Sequence, residues 1–316
     1  MSEYNEKSVE GRKKEGEREG AKAQPPTPKG YGEPRRHKVL WKRNCRMNDK
    51  NKLESLRKIL RGTKGLAVAF SGGLDSTFLL AVAKEELGKK VIAVTALSPT
   101  YPSREQKEAV KLAAKLGVKQ VLVESNELKI PHFADNPVNR CYFCKQELFK
   151  IVRDVARRHG IREIADGCNA DDLSDYRPGR KAAKELKVLS PLLEAGLCKN
   201  DIRKFSKQMG LPTANKPSFA CLASRFPYGS RITDTKLKAV DSVELLLMKL
   251  GFRQVRVRHH GEVARIEVEP AEIQRLAGEK IRRQIVLCAR KAGFKYVALD
   301  LEGYRTGSLN RGLAGG

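Results

Sequence analysis

Two short segments hold residues whose types and spacing can do chemistry. SGGLDS, Ser71 to Ser76, directly follows the apolar run GLAVAF and directly precedes a segment with helical patterning. Gly72 and Gly73 permit backbone angles and close approaches that a Cβ would resist. Amide hydrogens of such a loop, together with the start of the next helix, make a site for phosphate or pyrophosphate. The hydroxyls of Ser71 and Ser76 can donate to the same anion. Asp75 suits Mg²⁺ placement or loop geometry, because a bare carboxylate would repel phosphate. A glycine turn that merely reverses the chain is the simpler reading. The spacing is neither the GxxxxGK[ST] of P-loop kinases and GTPases nor the GxGxxG of dinucleotide-binding folds.

The second segment is NRCYFCKQELF, with Cys141 and Cys144 three positions apart and Lys145 next to them. A redox pair at a helix start is one reading. Structural zinc would want four ligands, yet His132 and His159 stand at unusual spacings and no second CxxC exists. Three thiolates on an iron–sulfur cluster fit the inventory if a third cysteine comes near. Cys221, in KPSFACLASRFPYGSRIT, is the candidate, in a stretch that reads as an ordered loop. For any lone cysteine the simpler reading is a buried thiol, and Cys168, Cys198 and Cys288 are expected to be such thiols. Cys45 falls in an unpatterned N-terminal region.

In VRVRHH, Arg256 and Arg258 alternate with Val255 and Val257, so on a strand both guanidinium groups share one face. Two forks facing one way suit a phosphate; a strand with a solvated basic face is the structural alternative. Ser224 and Arg225, close to Cys221, are further substrate candidates, as is Glu244. Lys145 suits an ATP or substrate phosphate, or a charge on the rim.

The elements that must position these groups alternate. Leu53, Leu56 and Leu60 mark a helix, Gly65–Phe70 a strand, Thr77–Glu86 a helix and Val91–Leu97 a strand. Arg104–Leu116 is helical, Val118–Ser125 a third strand, Glu147–His159 a helix, and IREIADG a strand ending near Asp166. That rhythm predicts an α/β fold with an open parallel sheet and helical crossovers. After a helix at Asp201–Met209 the pattern changes. Leu237–Leu250, the strands RQVRVRHH and VARIEVE, a helix over Pro270–Ala292 and the strand KYVALDLEG predict a small α+β domain. The expected organisation is an extension over 1–48, a nucleotide domain over 49–232 and a substrate-binding and oligomerisation domain over 233–316. The extension, rich in both charges and proline, reads as disordered, and Met47 is a candidate start of the functional chain.

The chain of 316 residues carries 63 lysines and arginines against 37 aspartates and glutamates, a formal charge of +26. This excess favours an anionic partner; a heavily charged surface of a heat-adapted protein explains it equally well. No run of 18 apolar residues is present and no apolar segment precedes a small-residue cleavage site, so a cytoplasmic location without a membrane span is expected. Seven cysteines, an odd number, do not form a secreted disulfide framework.

In its strand–loop–helix context, SGGLDS resembles the PP-loop of the ATP pyrophosphatase superfamily, whose fold is that of the adenine-nucleotide alpha-hydrolases. The resemblance makes DGCNADD the second nucleotide segment, with Gly167, Asn169, Asp171 and Asp172 as ATP or Mg²⁺ contacts. A solvated helix cap is the simpler reading of its two aspartates. Taken together, SGGLDS, NRCYFCK, DGCNADD, KPSFACLASRFPYGSRIT, RVRHHGEVARIEV and YRTGSLN are similar to the LarE family, from about Leu53 to Arg311. That resemblance implies ATP-dependent sulfur insertion into pyridinium-3,5-biscarboxylic acid mononucleotide, a precursor of the nickel-pincer nucleotide cofactor. One branch of the family sacrifices a cysteine; the other holds a [4Fe-4S] cluster on three. Cys141, Cys144 and Cys221 match the three-cysteine type, which implies a catalytic sulfide carrier fed by a sulfide source. The resemblance also assigns Arg256 and Arg258 to the substrate phosphate and implies a homo-oligomer, with a hexamer as its stoichiometry. An apolar VELLLMKL helix accords with self-association.

The rival readings are a PP-loop tRNA thiolase, an amide-forming synthetase and a non-catalytic nucleotide- or RNA-binding scaffold. Against nucleic acid as substrate stands the absence of a second basic module with exposed aromatics, at an aromatic content of 6%. A synthetase would need an ammonia source, and no glutaminase segment is evident.

Overall fold

The computed structural model describes residues 49–173, 178–217, 220–305 and 308. The expected extension, with Cys45 and Met47, lies outside the described residues, as do Ser218, Phe219 and most of the terminal YRTGSLN motif.

Four strands, β1 (Leu66–Ala69), β2 (Val91–Leu97), β3 (Lys119–Glu124) and β4 (Glu163–Ala165), form a parallel sheet in the order β3-β2-β1-β4. β1 and β2 are near-continuous apolar runs because both faces are covered. On one face lie α1 (Asp49–Arg61), α2 (Leu74–Leu87), α3 (Ser103–Lys115), α6 (Pro191–Glu194) and α7 (Lys199–Gln208), packed through Leu56, Phe78, Ala109, Leu192 and Phe205. The other face carries α4 (Arg140–Arg158) and α5 (Gly179–Glu185), through Phe149, Val152 and Ala182. The chain builds outward from β1 to β3 and returns to β4 on the far side of β1. The loops after β1 and β4 therefore meet at a switch point, where open α/β sheets bind ligands.

A second sheet, in the order β5-β6-β7, contains β5 (Val255–His260) antiparallel to β6 (Val263–Val268) and β7 (Tyr296–Leu299) parallel to β6. Val257, Ile266 and Val268 pack under α8 (Asp234–Lys249) and α10 (Glu279–Lys291). This second core reaches back to Phe133, Leu222, Phe226 and Ile232, so the segment that carries Cys221 is rooted in it.

Two expectations need correction. The helix expected at Glu147 begins at Arg140, which puts both cysteines on its first turns. Arg140 is buried, bonds to the Asn136 side chain and lies over the Tyr228 ring, and these contacts hold the extra turns. The long helix expected over Pro270–Ala292 is broken: a 3₁₀ turn at Pro270–Glu272, then α9 (Ile273–Ala277), then extended backbone at Gly278 before α10. On α8, Leu245 is half-buried and lies outside the second core. Leu237, Val240, Val243 and Leu247 fill that core, and Met248 meets Arg104 of α3. Among the described residues of this domain, the large exposed apolar side chains are Leu287, Tyr296 and Leu301.

Candidate active site

β1 ends against β2 through Phe70, whose N–H donates to Val94 O and whose carbonyl accepts from Thr95 Oγ1. The chain then turns at Gly72, with φ +68°. A Cβ there would stand 2.9 Å from both Cα and Cβ of Ala109 on α3, so the loop can lie against that helix only as glycine. The Ser71 and Ser76 hydroxyls are 3.1 Å apart. Gly73 occupies the N-cap of α2 and offers no side chain to its first turn, which leaves the helix start suited to an anion.

The segment after β4 is pressed against this start. A Cβ on Gly167 would stand 3.0 Å from Ser76 N and 3.3 Å from the Asp75 carbonyl carbon. Asn169 is fully buried; its Oδ1 accepts from Asp171 N at 3.0 Å, and its N–H donates to Asp172 Oδ2 at 3.2 Å. Asn169 Nδ2 has no acceptor among the described residues. Asp171 Oδ2 accepts from Lys199 N at 2.9 Å, at the start of α7. The two cradles that tolerate no Cβ and the orphaned amide donor fit a nucleotide triphosphate. Mg²⁺ is usually held by one or two carboxylates plus phosphates and water, which Asp75, Asp171 and Asp172 can supply.

Cys141 is exposed, and Cys144 and Cys221 are half-buried. Cys144 and Cys221 both pack on the second core. Burial pushes the Cys144 thiol well above its ordinary range, and the neighbouring Cys221, Glu127 and Cys141 add to the rise. Cys144 and Cys221 thus border one core, with Cys141 one turn before Cys144 on α4. Among the described residues no three of Cys, His, Asp and Glu are drawn together closely enough to hold a metal ion. In chemistry the donor set fits an iron–sulfur group, which rests on thiolates. Cys168, Cys198 and Cys288, expected to be buried, are half-buried free thiols; Cys168 belongs to the nucleotide segment.

Cys221 is fixed from both sides. Leu222 N donates to Thr100 O at 2.7 Å, next to the phosphate-loop domain's Tyr101. On the other side, the fully buried Arg225 pairs with Glu244 through Nε–Oε1 at 2.8 Å and Nη2–Oε2 at 2.9 Å. Its Nη1 donates to the carbonyls of Ala220 and Cys221 and to Ser224 Oγ. Arg225 and Glu244 therefore shape the Cys221 turn, a role that sequence reasoning did not give them.

Arg256 and Arg258 share a face of β5, as expected. Arg258 is locked in a two-point pair with buried Glu267 and also donates to Ser224 O at 2.8 Å and Ser308 Oγ. Arg256 is buried, lies 4.9 Å over the Tyr304 ring, and borders a cleft of about 820 Å³ between α3 and the small domain. Burial and the nearby Arg225 lower its pKa from the usual arginine range. Lys145 Nζ lies over the Phe149 ring, and its side chain abuts Gly179.

Tyr101 and Lys216 escaped the sequence reading. The Tyr101 hydroxyl donates to Ser71 O at 2.7 Å. Burial raises its pKa far above the ordinary value, with Glu105 next, and the preceding Thr100 O accepts from Leu222 N, so Thr100–Tyr101 touches both the phosphate loop and the Cys221 turn. Lys216 Nζ reaches Gly72 O at 3.1 Å. A lysine five positions before a cysteine candidate was the one available signal.

Comparison with known proteins agrees with this geometry. A family model described as asparagine synthase matches residues 53–187. An uncharacterised protein of Synechocystis sp. is 44% identical over 263 residues, 83% of this chain and 98% of the relative. The pyridinium-3,5-bisthiocarboxylic acid mononucleotide synthase of Lactiplantibacillus plantarum is 36% identical over 254 residues, 79% of this chain and 91% of the relative. An argininosuccinate synthase of Haloarcula marismortui is 32% identical over 168 residues, 48% of this chain and 38% of the relative. The match to the argininosuccinate synthase takes in under half of this chain, whereas the match to the mononucleotide synthase takes in 79% of it. At that identity and over that share of both chains, the chain belongs to the LarE family of ATP-dependent sulfurtransferases.

Proposed function

We propose that this protein inserts sulfur into pyridinium-3,5-biscarboxylic acid mononucleotide in the cytoplasm, as a homo-oligomer fed by an external sulfide source. ATP lies on Ser71–Ser76 and Gly167–Asp172, with Mg²⁺ held by its phosphates and the adjoining aspartates. A substrate carboxylate oxygen attacks the α-phosphorus, the bond to the β-phosphate breaks, and pyrophosphate leaves. The loop amides and Mg²⁺ stabilise the charge that develops on it. Sulfide then adds to the acyl carbon and AMP departs with the former carboxylate oxygen, giving a thiocarboxylate without net oxidation or reduction. Cys141, Cys144 and Cys221 would hold a [4Fe-4S] cluster, which supplies a nucleophilic sulfide on the iron that no cysteine ligates. Arg256 binds the substrate's phosphate, and Arg258, Ser224, Arg225 and Glu244 orient that region.

The observation that supports this reading is the Thr100–Tyr101 step, where Tyr101 donates to Ser71 O and Thr100 O accepts from Leu222 N beside Cys221. Activation and sulfur delivery thus have one pocket, where closeness raises rate and exclusion of water limits hydrolysis of the acyl-adenylate. The test is anaerobic incubation with the dicarboxylate mononucleotide, Mg·ATP and sulfide, read as thiocarboxylate, AMP and pyrophosphate. Thiolation of tRNA with no conversion of the mononucleotide would overturn the assignment.

A further inference from the structure

The Lys216 ammonium hydrogen-bonds to Gly72 O at 3.1 Å and to Glu108 Oε2 at 2.7 Å. Glu105 Oε2 faces it at 2.6 Å as an ion-pair partner outside hydrogen-bond geometry. Both carboxylates stand on α3, the helix whose Ala109 forms the floor under Gly72. The backbone of Lys216 is fixed as well: its carbonyl accepts from Arg203 Nη2 at 3.1 Å, and the carbonyl of Ala214 accepts from Arg203 Nη1 at 2.8 Å. Arg203 belongs to α7, which packs on the phosphate-loop helix through Phe205 and Phe78.

In a trans peptide the C=O of one residue and the N–H of the next point in opposite directions. Lys216 on Gly72 O therefore fixes where Gly73 N–H points, and Tyr101 on Ser71 O does the same for Gly72 N–H. Two successive peptide planes of the phosphate loop are set by side chains that belong to, or adjoin, the Cys221 neighbourhood. We infer that Lys216 is a positioning residue that straps the Cys221 segment to the phosphate loop, with Glu105 and Glu108 as its anchors, and is not itself a phosphate ligand. This assignment rests on the phosphate-loop reading of Ser71–Ser76 but not on the sulfur chemistry.

The two roles predict opposite signs. Were Lys216 a phosphate ligand restrained by two carboxylates, Glu108→Gln would release positive charge and tighten Mg·ATP binding. As a strap it loses an anchor, and the same substitution weakens binding. Glu108 is partly exposed and the change is isosteric, so folding is not at issue. Calorimetry on the full-length protein should show Mg·ATP affinity falling about tenfold or more in Lys216→Met, on the scale of a lost charge-assisted hydrogen bond, and a few-fold in Glu108→Gln. Hydrogen exchange gives a readout that needs no nucleotide. Lys216→Met should speed exchange of the 72–76 amides, and Mg·ATP should slow exchange at 220–225 in the wild type but not in the variant. Tighter binding by Glu108→Gln, or unchanged loop exchange in Lys216→Met, would overturn the strap. Failure of the wild type to bind Mg·ATP would instead defeat the activation chemistry, and the nucleotide-free exchange would still decide the role of Lys216.

Discussion

Arg225 and Glu244 meet in a two-point ion pair with essentially no exposure to solvent, and Glu244 Oε1 also accepts from Val257 N at 2.9 Å. One carboxylate thus ties the Cys221 turn, α8 and β5 together. Removing one partner of a buried pair strands the other charge, at a cost of about 3–5 kcal/mol. Glu244→Ala should lower stability by that order in urea unfolding. Activity should fall further than the unfolded fraction explains, because the Ala220 and Cys221 carbonyls lose a fixed donor. A change of less than about 1 kcal/mol would mean the pair is not what shapes the turn.

Gly72→Ala meets two obstacles, a positive φ and the backbone of Ala109 at 2.9 Å. Strained backbone of this kind costs about 1–3 kcal/mol, and overlap with Ala109 adds to it. The variant should fold with reduced stability and bind Mg·ATP weakly. Gly167→Ala, whose Cβ would press on Ser76 N at 3.0 Å, should spare stability more than nucleotide affinity. Paired calorimetry and unfolding curves separate the two, and equal affinities in both variants and wild type would remove nucleotide from this crevice.

Much of this was legible in the sequence where one physical rule dominates. Val91–Leu97 reads as a strand and is one, since a doubly buried strand must be apolar along its whole length. The phosphate loop and the segment after β4 are equally plain, because their glycines answer local backbone requirements. The first turns of α4 were not, since Cys141–Cys144 has no helical periodicity of its own and is held by Arg140, through the nearby Asn136 and the distant Tyr228 ring. Gly278 was passed over inside a long amphipathic pattern, although it ends α9. Lys216 and Gly72 lie 144 positions apart, and nothing local in either segment announces the contact.

Arg256 and Arg258 look alike in sequence and should behave oppositely when replaced. Arg258→Ala takes the two-point partner from buried Glu267, leaving it Arg265 Nη2 at 3.1 Å, and removes a donor from Ser224 O, so it should destabilise by about 1.5–3 kcal/mol. In Arg256 the charged form is disfavoured by burial and by Arg225, so at neutral pH its charge works against the fold. Arg256→Met should leave stability unchanged or raise it, as is common where function imposes strain. The same variant should raise KM for the mononucleotide roughly 10- to 100-fold, on the scale of lost charged hydrogen bonds, with Mg·ATP affinity unchanged. A KM that does not move would take the phosphate away from Arg256.

His259 sits between the rings of Phe226 and Phe294, at centroid distances of 5.1 and 5.2 Å. Burial, then Lys236, lowers its pKa, and His260 beside it is lowered as well. In the unfolded chain histidine titrates near about 6.5, so below that pH the unfolded state binds more protons than the folded one. Stability present above this pH is therefore lost as the pH falls toward the lowered values. His259→Phe keeps a ring in the stack and should shrink the drop in unfolding midpoint between pH 7 and pH 5. An unaltered drop would assign the acid sensitivity to His260 or to the carboxylates.

The thiols make the last prediction, and the ligand set stands or falls with it. Cys141 lies on the first turn of α4, Cys144 one turn further along the same face, and Cys221 opposite them on the second core. Only a group that bridges both elements would need all three. Anaerobic reconstitution of the wild type should give about four irons and four sulfides per chain, as a [4Fe-4S] centre requires. Alanine at 141, 144 or 221 should each lower that content sharply, while alanine at 168, 198 or 288 should not. Cys168 is the informative control, because it is a half-buried thiol of the nucleotide segment itself. Full iron in Cys221→Ala would break the link between α4 and the small domain, and sulfur would then have to reach the acyl-adenylate by another route.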